Sequence, residues 1–163
     1  MKRLVEENPV YQSVVLLVKD IEKAKQFYST VLGQRITMDF GRNVGFKGGL
    51  AIWEKEYALN LIFKENKPDV KIGGNNSEIY FESNNLDELY NRLKGTVKLV
   101  HSIREQPWGQ KCFRVYDPDD HIIEFAEPMA SVVLRLHSSG SSYEEIAMKS
   151  MMPVEFIRMI IEK

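Results

Sequence analysis

The chain has 163 residues, of which 44% are hydrophobic and 28% are charged, so we expect roughly one domain with its own core. Three histidines and one cysteine exclude a disulfide framework and a Cys/His zinc cluster. With 22 basic against 23 acidic residues, the composition predicts no nucleic-acid partner and no attraction to anionic lipid. The chain has no apolar run of about 18 residues, and its start, MKRLVEENPV, lacks the apolar core of a secretory signal. We therefore expect a soluble cytoplasmic protein with no membrane partner.

The first half of the chain predicts one βαβββ module, at about residues 10–63. Residues 11–18 form a β-rich apolar run, Asp20 is a plausible helix N-cap, and apolar residues then recur at helical spacing up to Gly33. Three short strands separated by glycine turns follow, at 35–40, 44–47 and 50–54. Residues 55–63 are compatible with either a short helix or a strand.

The second half, at about residues 78–128, repeats this order after a linker rich in Pro, Gly and Asn. Residues 78–82 alternate as a strand does, and Asn84 or Asn85 can cap a helix that ends at Gly95. The remaining strands are predicted at 96–101, 111–116 and 121–127. The sequence therefore predicts two βαβββ modules, with REQPWG as a loop of the second.

The two halves can be aligned on their helix starts, although their sequences are hardly alike. This alignment places Ser13 over Glu78 and Ala51 over Glu124. A shift of two residues would replace Ala51 by Trp53, which has the same strand parity.

Two segments resemble a known superfamily. VLLVKDIEKAKQFYSTVLG in the first half and QPWGQKCFRVYDPDDHIIEF in the second are similar to the glyoxalase / bleomycin-resistance / extradiol dioxygenase proteins, also called the vicinal oxygen chelate superfamily. The resemblance covers about residues 10–128. It implies an α+β fold in which the two modules form a cupped, eight-stranded mixed sheet with the ligand on its concave face. It also implies a homodimer, with the cup closed within one chain or by exchange of modules between two chains.

The resemblance further implies metal ligands on the first and last strands of each module. Carried over to this chain, these positions are Ser13, Glu78, Glu124 and either Ala51 or Trp53. The chain departs from the family here, because metal-binding relatives usually have three or four His, Glu or Gln at these positions. Asp120 also replaces the usual glycine of the DPDG turn. An aspartate tolerates a positive φ less well than glycine does, so this replacement can alter the backbone conformation of the turn.

The two carboxylates support opposite interpretations. Glu78 and Glu124 are hard oxygen donors, and with Ser13 they would favour Mg, Mn or Ca over Zn. A bound cation would polarise a substrate carbonyl, and Glu124 could move a proton. The alternative is a pair of carboxylates in a wet cavity, one of them protonated or hydrogen-bonded, with no metal.

Four further side chains are candidate ligand contacts. Trp53 and Trp108 could line the cavity or belong to the core, and His101 could contact substrate or be an edge residue. Arg114 could bind an anionic ligand or pair with Glu127 or Asp117, both of which are acidic.

Residues 129–163 lie outside the resemblance and predict a C-terminal helical extension. A helix is predicted at 129–137, a second begins at a capping box of Ser141 or Ser142 with Glu144 or Glu145, and Pro153 can open the last. The last two helices superficially resemble a helix-turn-helix, but residues 130–163 have as many acidic as basic residues, which disfavours DNA.

Two functions remain open from the sequence. The first is a divalent-metal lyase or isomerase of the lactoylglutathione lyase type, acting on a small α-oxygenated carbonyl compound. The second is a metal-free protein of the bleomycin-resistance type that binds a drug or metabolite. Both hypotheses have a small-molecule partner.

Overall fold

The structure, a computed structural model, describes residues 9–163. The prediction that the chain does not start with a secretory signal rests largely on residues 1–8, which lie outside the described residues. The chain divides between Ile72 and Gly73 into two compact units. Each unit contains one βαβββ module, so the predicted α+β fold of two such modules is confirmed, with its eight strands in two four-stranded mixed sheets.

Among residues 9–72, the first unit contains four strands and two α-helices. In chain order these are β1 (Val14–Val18), α1 (Ile21–Gln26), β2 (Ile36–Asp39), β3 (Asn43–Phe46), β4 (Leu50–Glu54) and α2 (Lys55–Phe63). The sheet order is β1-β4-β3-β2, with β1 and β4 parallel and the other pairs antiparallel. The ambiguous segment 55–63 is therefore a helix.

Local chemistry explains the limits of the first helix. The Asp20 side chain accepts a hydrogen bond from the Lys23 amide at 3.0 Å, as an N-cap should. The helix continues into a π-helical turn, Phe27–Val31, and the chain then reverses at Gly33, whose φ is +68°. Tyr28 from this turn is fully buried and lies 5.7 Å from the Phe46 ring, so the helix covers one face of the first sheet.

The second unit contains four strands and four helices. These are β5 (Glu78–Glu82), α3 (Leu86–Leu93), β6 (Leu99–Glu105), β7 (Lys111–Tyr116), β8 (Ile122–Ala126), α4 (Met129–Ser138), α5 (Tyr143–Ser150) and α6 (Val154–Ile161). The sheet order is β5-β8-β7-β6, with β5 and β8 parallel. β6 extends to Glu105, into the predicted REQPWG loop, because Arg104 and Glu105 pair with β7.

The two faces of the second sheet differ in chemistry. One is apolar: Phe81 and Phe125 stack with ring centroids 5.6 Å apart, and Phe113 lies 5.1 Å from Phe125. Tyr90 of α3 meets Phe113 edge-on at 5.2 Å, so this helix covers the apolar face. Strand side chains alternate, and Glu124 is therefore on the opposite face.

Strand pairing confirms the internal alignment of the two halves. Val15 pairs with Ala51 in the first sheet, and Tyr80 pairs with Glu124 in the second. Val15 and Tyr80 each lie two residues after the aligned positions Ser13 and Glu78, so Ala51 occupies in β4 the place that Glu124 occupies in β8. The repeat is therefore structural even though the residues at the equivalent positions have different chemistry.

The C-terminal helices form a small core of their own. Its fully or nearly buried members are Val132, Val133, Leu136, Ile146 and Ile157. Ser142 and Glu145 form the predicted capping box of α5, and α6 begins directly after Pro153. These helices belong to the same compact unit as the second sheet, so the boundary at residue 128 stays a prediction. Within the described part of the chain, no helix is long and apolar enough to cross a membrane.

Candidate functional site

A row of four side chains crosses the polar face of the second sheet. His101 of β6 pairs with Arg114 of β7, Arg114 pairs with Glu124 of β8, and Glu124 pairs with Tyr80 of β5. Directly paired residues point to the same face, so all four side chains share it. Glu78 lies two residues before Tyr80 on β5 and therefore also faces this side.

Arg114 is at the centre of this row and bonds both predicted metal-binding carboxylates. Its Nε donates to Glu78 Oε2 at 2.8 Å, and its Nη2 donates to Glu124 Oε2. A guanidinium presents several donors in a fixed plane, which suits it to bridge two carboxylates. Glu78 and Glu124 thus converge as the alignment of the halves predicts, but a cation of the chain itself lies between them.

The rest of the Arg114 guanidinium contacts two further side chains. Its Nη1 lies 3.2 Å from His101 Nε2 and 3.5 Å from Cys112 Sγ. His101 Nδ1 lies 2.7 Å from the Ser102 carbonyl, so these hydrogen bonds assign the proton to Nδ1 and leave Nε2 to accept from Arg114. Burial lowers the pKa of His101, which favours the neutral form of this ring beside the arginine.

The pKa values of the two carboxyl groups are shifted in opposite directions. The Arg114 hydrogen bond lowers the pKa of Glu78, whose side chain is 39% exposed. Burial raises the pKa of Glu124, which is only 4% exposed, and the nearby Glu78 carboxyl acts in the same direction. A proton shared by the pair is therefore held by Glu124, and the two groups titrate together.

With Arg114 bonded to both carboxylates, this face offers no free pair of oxygen donors to a divalent cation. Mg²⁺ and Ca²⁺ take about six or more oxygen ligands, and a cation would have to displace Arg114 from both carboxylates. Among residues 9–163, no group of three or more His, Cys, Asp or Glu could hold a metal ion. Ser13 is exposed in the first unit, and Ala51 offers no donor atom.

The two tryptophans predicted as ligand contacts lie in different units of the chain. Trp108 lies in the loop between β6 and β7, where its indole N–H donates to Gln110 Oε1 at 2.9 Å. Trp53 is in the first unit, edge-on to Tyr57 at 6.5 Å, and its buried indole N–H has no hydrogen-bond partner within residues 9–163. Trp53, Trp108 and His101 stay predicted ligand contacts.

The carboxylates that pair with Arg114 are Glu78 and Glu124, which were not among the partners expected from the sequence, and binding of an anionic ligand by Arg114 stays a prediction. Glu127 accepts hydrogen bonds from the Lys111 amide and from Arg135, and Asp117 bonds His121 Nδ1 at 2.8 Å. His121 has the turn-stabilising role that its position after the DPDD turn suggests.

Sequence reasoning missed three residues of this face. Tyr80 lies in the central row, Cys112 contacts Arg114, and Gln106 donates to Cys112 Sγ at 2.9 Å. Strand parity could have found the first two, because each lies two residues from a predicted site residue. Gln106 is in a loop, so no periodicity indicates where its side chain points.

Comparison with known proteins agrees with this architecture. The model of the glyoxalase-like domain family matches residues 11–130, which is most of the chain. The chain belongs to the glyoxalase-like family. This glyoxalase-like protein is thereby placed in the vicinal oxygen chelate superfamily. No functionally curated protein matches it significantly.

Three solved structures illustrate the similarity of this glyoxalase-like protein to others. A protein of unknown function from Agrobacterium tumefaciens is 34% identical, with a TM-score of 0.70 over 77% of this chain and 98% of its own. A glyoxalase-related enzyme from Fulvimarina pelagi is 20% identical, with a TM-score of 0.64 over 76% and 91%. A lactoylglutathione lyase from A. tumefaciens is 20% identical, with a TM-score of 0.58 over 76% and 96%. The last two identities establish the fold alone.

Proposed function

We propose that this glyoxalase-like protein binds a small organic molecule on the polar face of its second sheet, and that it does so without a divalent metal. The observation that carries the proposal is the bridge from Arg114 to both Glu78 and Glu124. A guanidinium relieves the repulsion between the two carboxylates, which is the electrostatic task a metal would otherwise perform.

Exposed groups beside this bridge support hydrogen bonding to a polar ligand. Tyr80 is 48% exposed, and Glu82 lies two residues further along β5 on the same face. The Tyr80 hydroxyl donates to Glu82 Oε1 at 3.1 Å and accepts from Gln110 at 3.0 Å. Protein groups of this kind orient ligands in pockets whose walls are mostly apolar.

The competing candidate is the metal-dependent lyase or isomerase. The presence of both Glu78 and Glu124 favours it, and burial raises the pKa of Glu124, which is the direction expected for a carboxyl group that exchanges a proton with substrate. In this alternative Mg, Mn or Ca would bind Glu78 and Glu124, and Arg114 would have to swing away from both carboxylates.

Metal stoichiometry separates the two candidates. The wild-type protein and the variant Arg114→Met are titrated with Mn²⁺ and followed by electron paramagnetic resonance. We expect the wild type to bind no stoichiometric Mn²⁺, and Arg114→Met to gain binding because its carboxylates are released. Arg158→Met, which removes an exposed arginine of α6 away from this sheet face, is the matched control and should behave as the wild type. One Mn²⁺ per wild-type chain, lost in Glu124→Gln, would overturn the proposal.

An activity assay and a binding screen complete the test. Formation of S-lactoylglutathione from methylglyoxal and glutathione is measured with and without Mn²⁺, and we expect none above background. Bleomycin and a panel of small metabolites are screened by thermal shift against wild type, Arg114→Met and Arg158→Met. A compound that stabilises the wild type and Arg158→Met, but not Arg114→Met, would support binding at this face.

The association state and location also belong to this proposal. A homodimer is expected from the family resemblance, and light scattering after size-exclusion chromatography measures it directly. Residence in the cytoplasm remains a prediction that fractionation of cells can test.

A further inference from the structure

The C-terminal helices are packed against the loop between β6 and β7, residues 106–110. Arg135 of α4 donates through Nη2 to the Gly109 carbonyl at 2.6 Å. Side-chain carbons of Lys149, Val132 and Leu136 lie 3.2–3.6 Å from the point where a Cβ would stand on Gly109. The backbone of this loop is therefore in close contact with α4 and α5.

Ion pairs on one side of this loop, and a hydrogen bond through Glu127 on the other, connect the flanking strands to the same helices. Glu105, which precedes the loop, lies 2.7 Å from Lys149 Nζ and 3.7 Å from Arg135 Nη1. On the other side, the amide of Lys111 donates to Glu127 Oε1 at 2.8 Å, and that same oxygen pairs with Arg135. Arg135 thus contacts the loop at Gly109, Glu105 before the loop, and Glu127, which bonds the first strand residue after the loop.

The other side of the loop faces the ligand site. Gln106 donates through its side-chain amide to Cys112 Sγ at 2.9 Å, and Cys112 contacts the Arg114 guanidinium. Gln110 is 5% exposed and donates to both the Tyr80 hydroxyl and the Glu127 carbonyl. Two glutamines of one short loop therefore bond two side chains of the site.

We propose that the C-terminal helices position the 106–110 loop against the ligand site, with Arg135 as the positioning residue. As far as it concerns ligand binding, the proposal rests on the function proposed above. Without Arg135, the loop would open more often, and Gln106 and Gln110 would lose contact with Cys112 and Tyr80. Local openings of this kind can occur without global unfolding.

The chain provides its own reporter of this opening. Cys112 is the single cysteine, it is fully buried, and Gln106 covers its sulfur. Its rate of modification by 5,5′-dithiobis(2-nitrobenzoate) at fixed pH, well below the urea unfolding transition, therefore measures how often the loop opens. We expect Arg135→Ala to raise this rate about tenfold, which corresponds to about 1.4 kcal/mol in the opening equilibrium.

Matched variants separate positioning from general destabilisation. Arg158→Ala removes an arginine of α6 whose ion pair is with Glu162, at 3.8 Å, and should leave the rate within twofold of wild type. Arg135→Lys keeps the charge and one donor group and should restore much of the protection. In a Trp53→Phe background, Trp108 is the only tryptophan, and its emission should shift to longer wavelength in Arg135→Ala.

The outcomes distinguish this inference from the proposed function. If Arg135→Ala does not fold cooperatively, Lys149→Met tests the same helix-to-loop contact from α5. Equal Cys112 rates in wild type, Arg135→Ala and Lys149→Met would overturn the inference whatever the metal titration shows. Stoichiometric Mn²⁺ in the wild type would instead remove the proposed function and leave the Cys112 comparison intact.

Discussion

Arg114 and Glu124 are directly opposite each other on neighbouring antiparallel strands, and they form an ion pair whose acidic member is almost completely buried. A buried ion pair gains from attraction and loses from dehydration, so its net contribution to stability is small, whereas removal of one partner is costly. A substitution that removes only one of the two partners should therefore lower the stability of the folded protein. Glu78 adds a second, more exposed carboxylate to the same guanidinium.

A double-mutant cycle on Arg114 and Glu124 tests this relationship. Arg114→Met leaves Glu124 buried without a cationic partner, and we expect the free energy of unfolding at pH 7 to fall by about 3 kcal/mol. The double variant Arg114→Met/Glu124→Gln should lose less than the sum of the single variants, with a coupling energy of about 1–3 kcal/mol. Urea denaturation of the four proteins measures both values.

The exposed Arg104 provides the control for this cycle. Arg104→Met changes a surface arginine of the neighbouring strand, and its stability should stay within about 0.5 kcal/mol of wild type. Strictly additive losses in the double variant would show that Arg114 and Glu124 do not interact in solution.

The pH dependence of stability should reveal the raised pKa of Glu124. Between its unfolded value of 4.5 and its raised folded value, the folded protein binds more protons than the unfolded chain, so Glu124 lowers stability as the pH rises. Glutamine cannot titrate, and Glu124→Gln should remove this loss. The difference in unfolding free energy, variant minus wild type, should therefore increase from pH 4.5 to pH 7.

Glu78 provides a comparison, because its pKa is shifted in the opposite direction from that of Glu124. Its pKa is lowered by Arg114, so its contribution to stability is present above 4.5 and is lost as the pH falls through its folded pKa. Glu78→Gln should therefore be less stable than wild type above pH 4.5, and this difference in stability should disappear at more acidic pH. A difference for Glu124→Gln that falls between pH 4.5 and pH 7 would contradict the assignment of the proton to Glu124.

Gly73 packs directly on the DPDD turn, so we expect it to tolerate no side chain. A Cβ there would lie 2.3 Å from the Asp119 carbonyl oxygen and 2.7 Å from that of Asp120, at a φ of +70°. Gly73→Ala should therefore lower the midpoint of thermal unfolding, with a loss of about 1–3 kcal/mol from backbone strain and displacement of the turn. Gly74→Ala is the control, because the nearest atoms to its Cβ lie 3.9 Å away. Equal midpoints for the two variants would refute the close contact.

Asp120 occupies a backbone conformation that suits glycine better. Its φ is +64°, and a left-handed conformation costs a residue with a Cβ about 1 kcal/mol. Asp120→Gly should therefore raise stability by about 0.5 kcal/mol, because the exposed ion pair with Lys98 that it removes contributes little. Asp120→Ala keeps the strain and loses the ion pair, so chemical denaturation should rank the variants glycine, wild type, alanine. A glycine variant less stable than wild type would contradict this order.

Much of the fold could be predicted from the sequence because its signals are local. The Asp20 cap, the left-handed Gly33 and the capping box of Ser142 with Glu145 all lie where the sequence places them. The equivalence of Ala51 and Glu124 also follows from the register. Residues 55–63 were ambiguous because their apolar residues have no clear period, and their helical state depends on packing that no local pattern encodes.

The site was only partly predictable, for reasons of side-chain length and register. Strand parity places Glu78 and Glu124 on one face, but an arginine can reach several partners from one Cα. Its choice depends on which residue of β8 lies opposite Arg114, and that register is a tertiary property. The sequence therefore identified both carboxylates and the arginine, but not the bridge between them.

Each sheet takes all of its strands from one continuous stretch of chain, residues 14–54 for the first and 78–126 for the second. During synthesis on the ribosome, the first sheet has its full set of strands before the second has been translated, and nascent domains generally fold in this order. The carboxylates and the arginine all come from the later stretch. Assembly of this row of side chains therefore has to await the last third of translation.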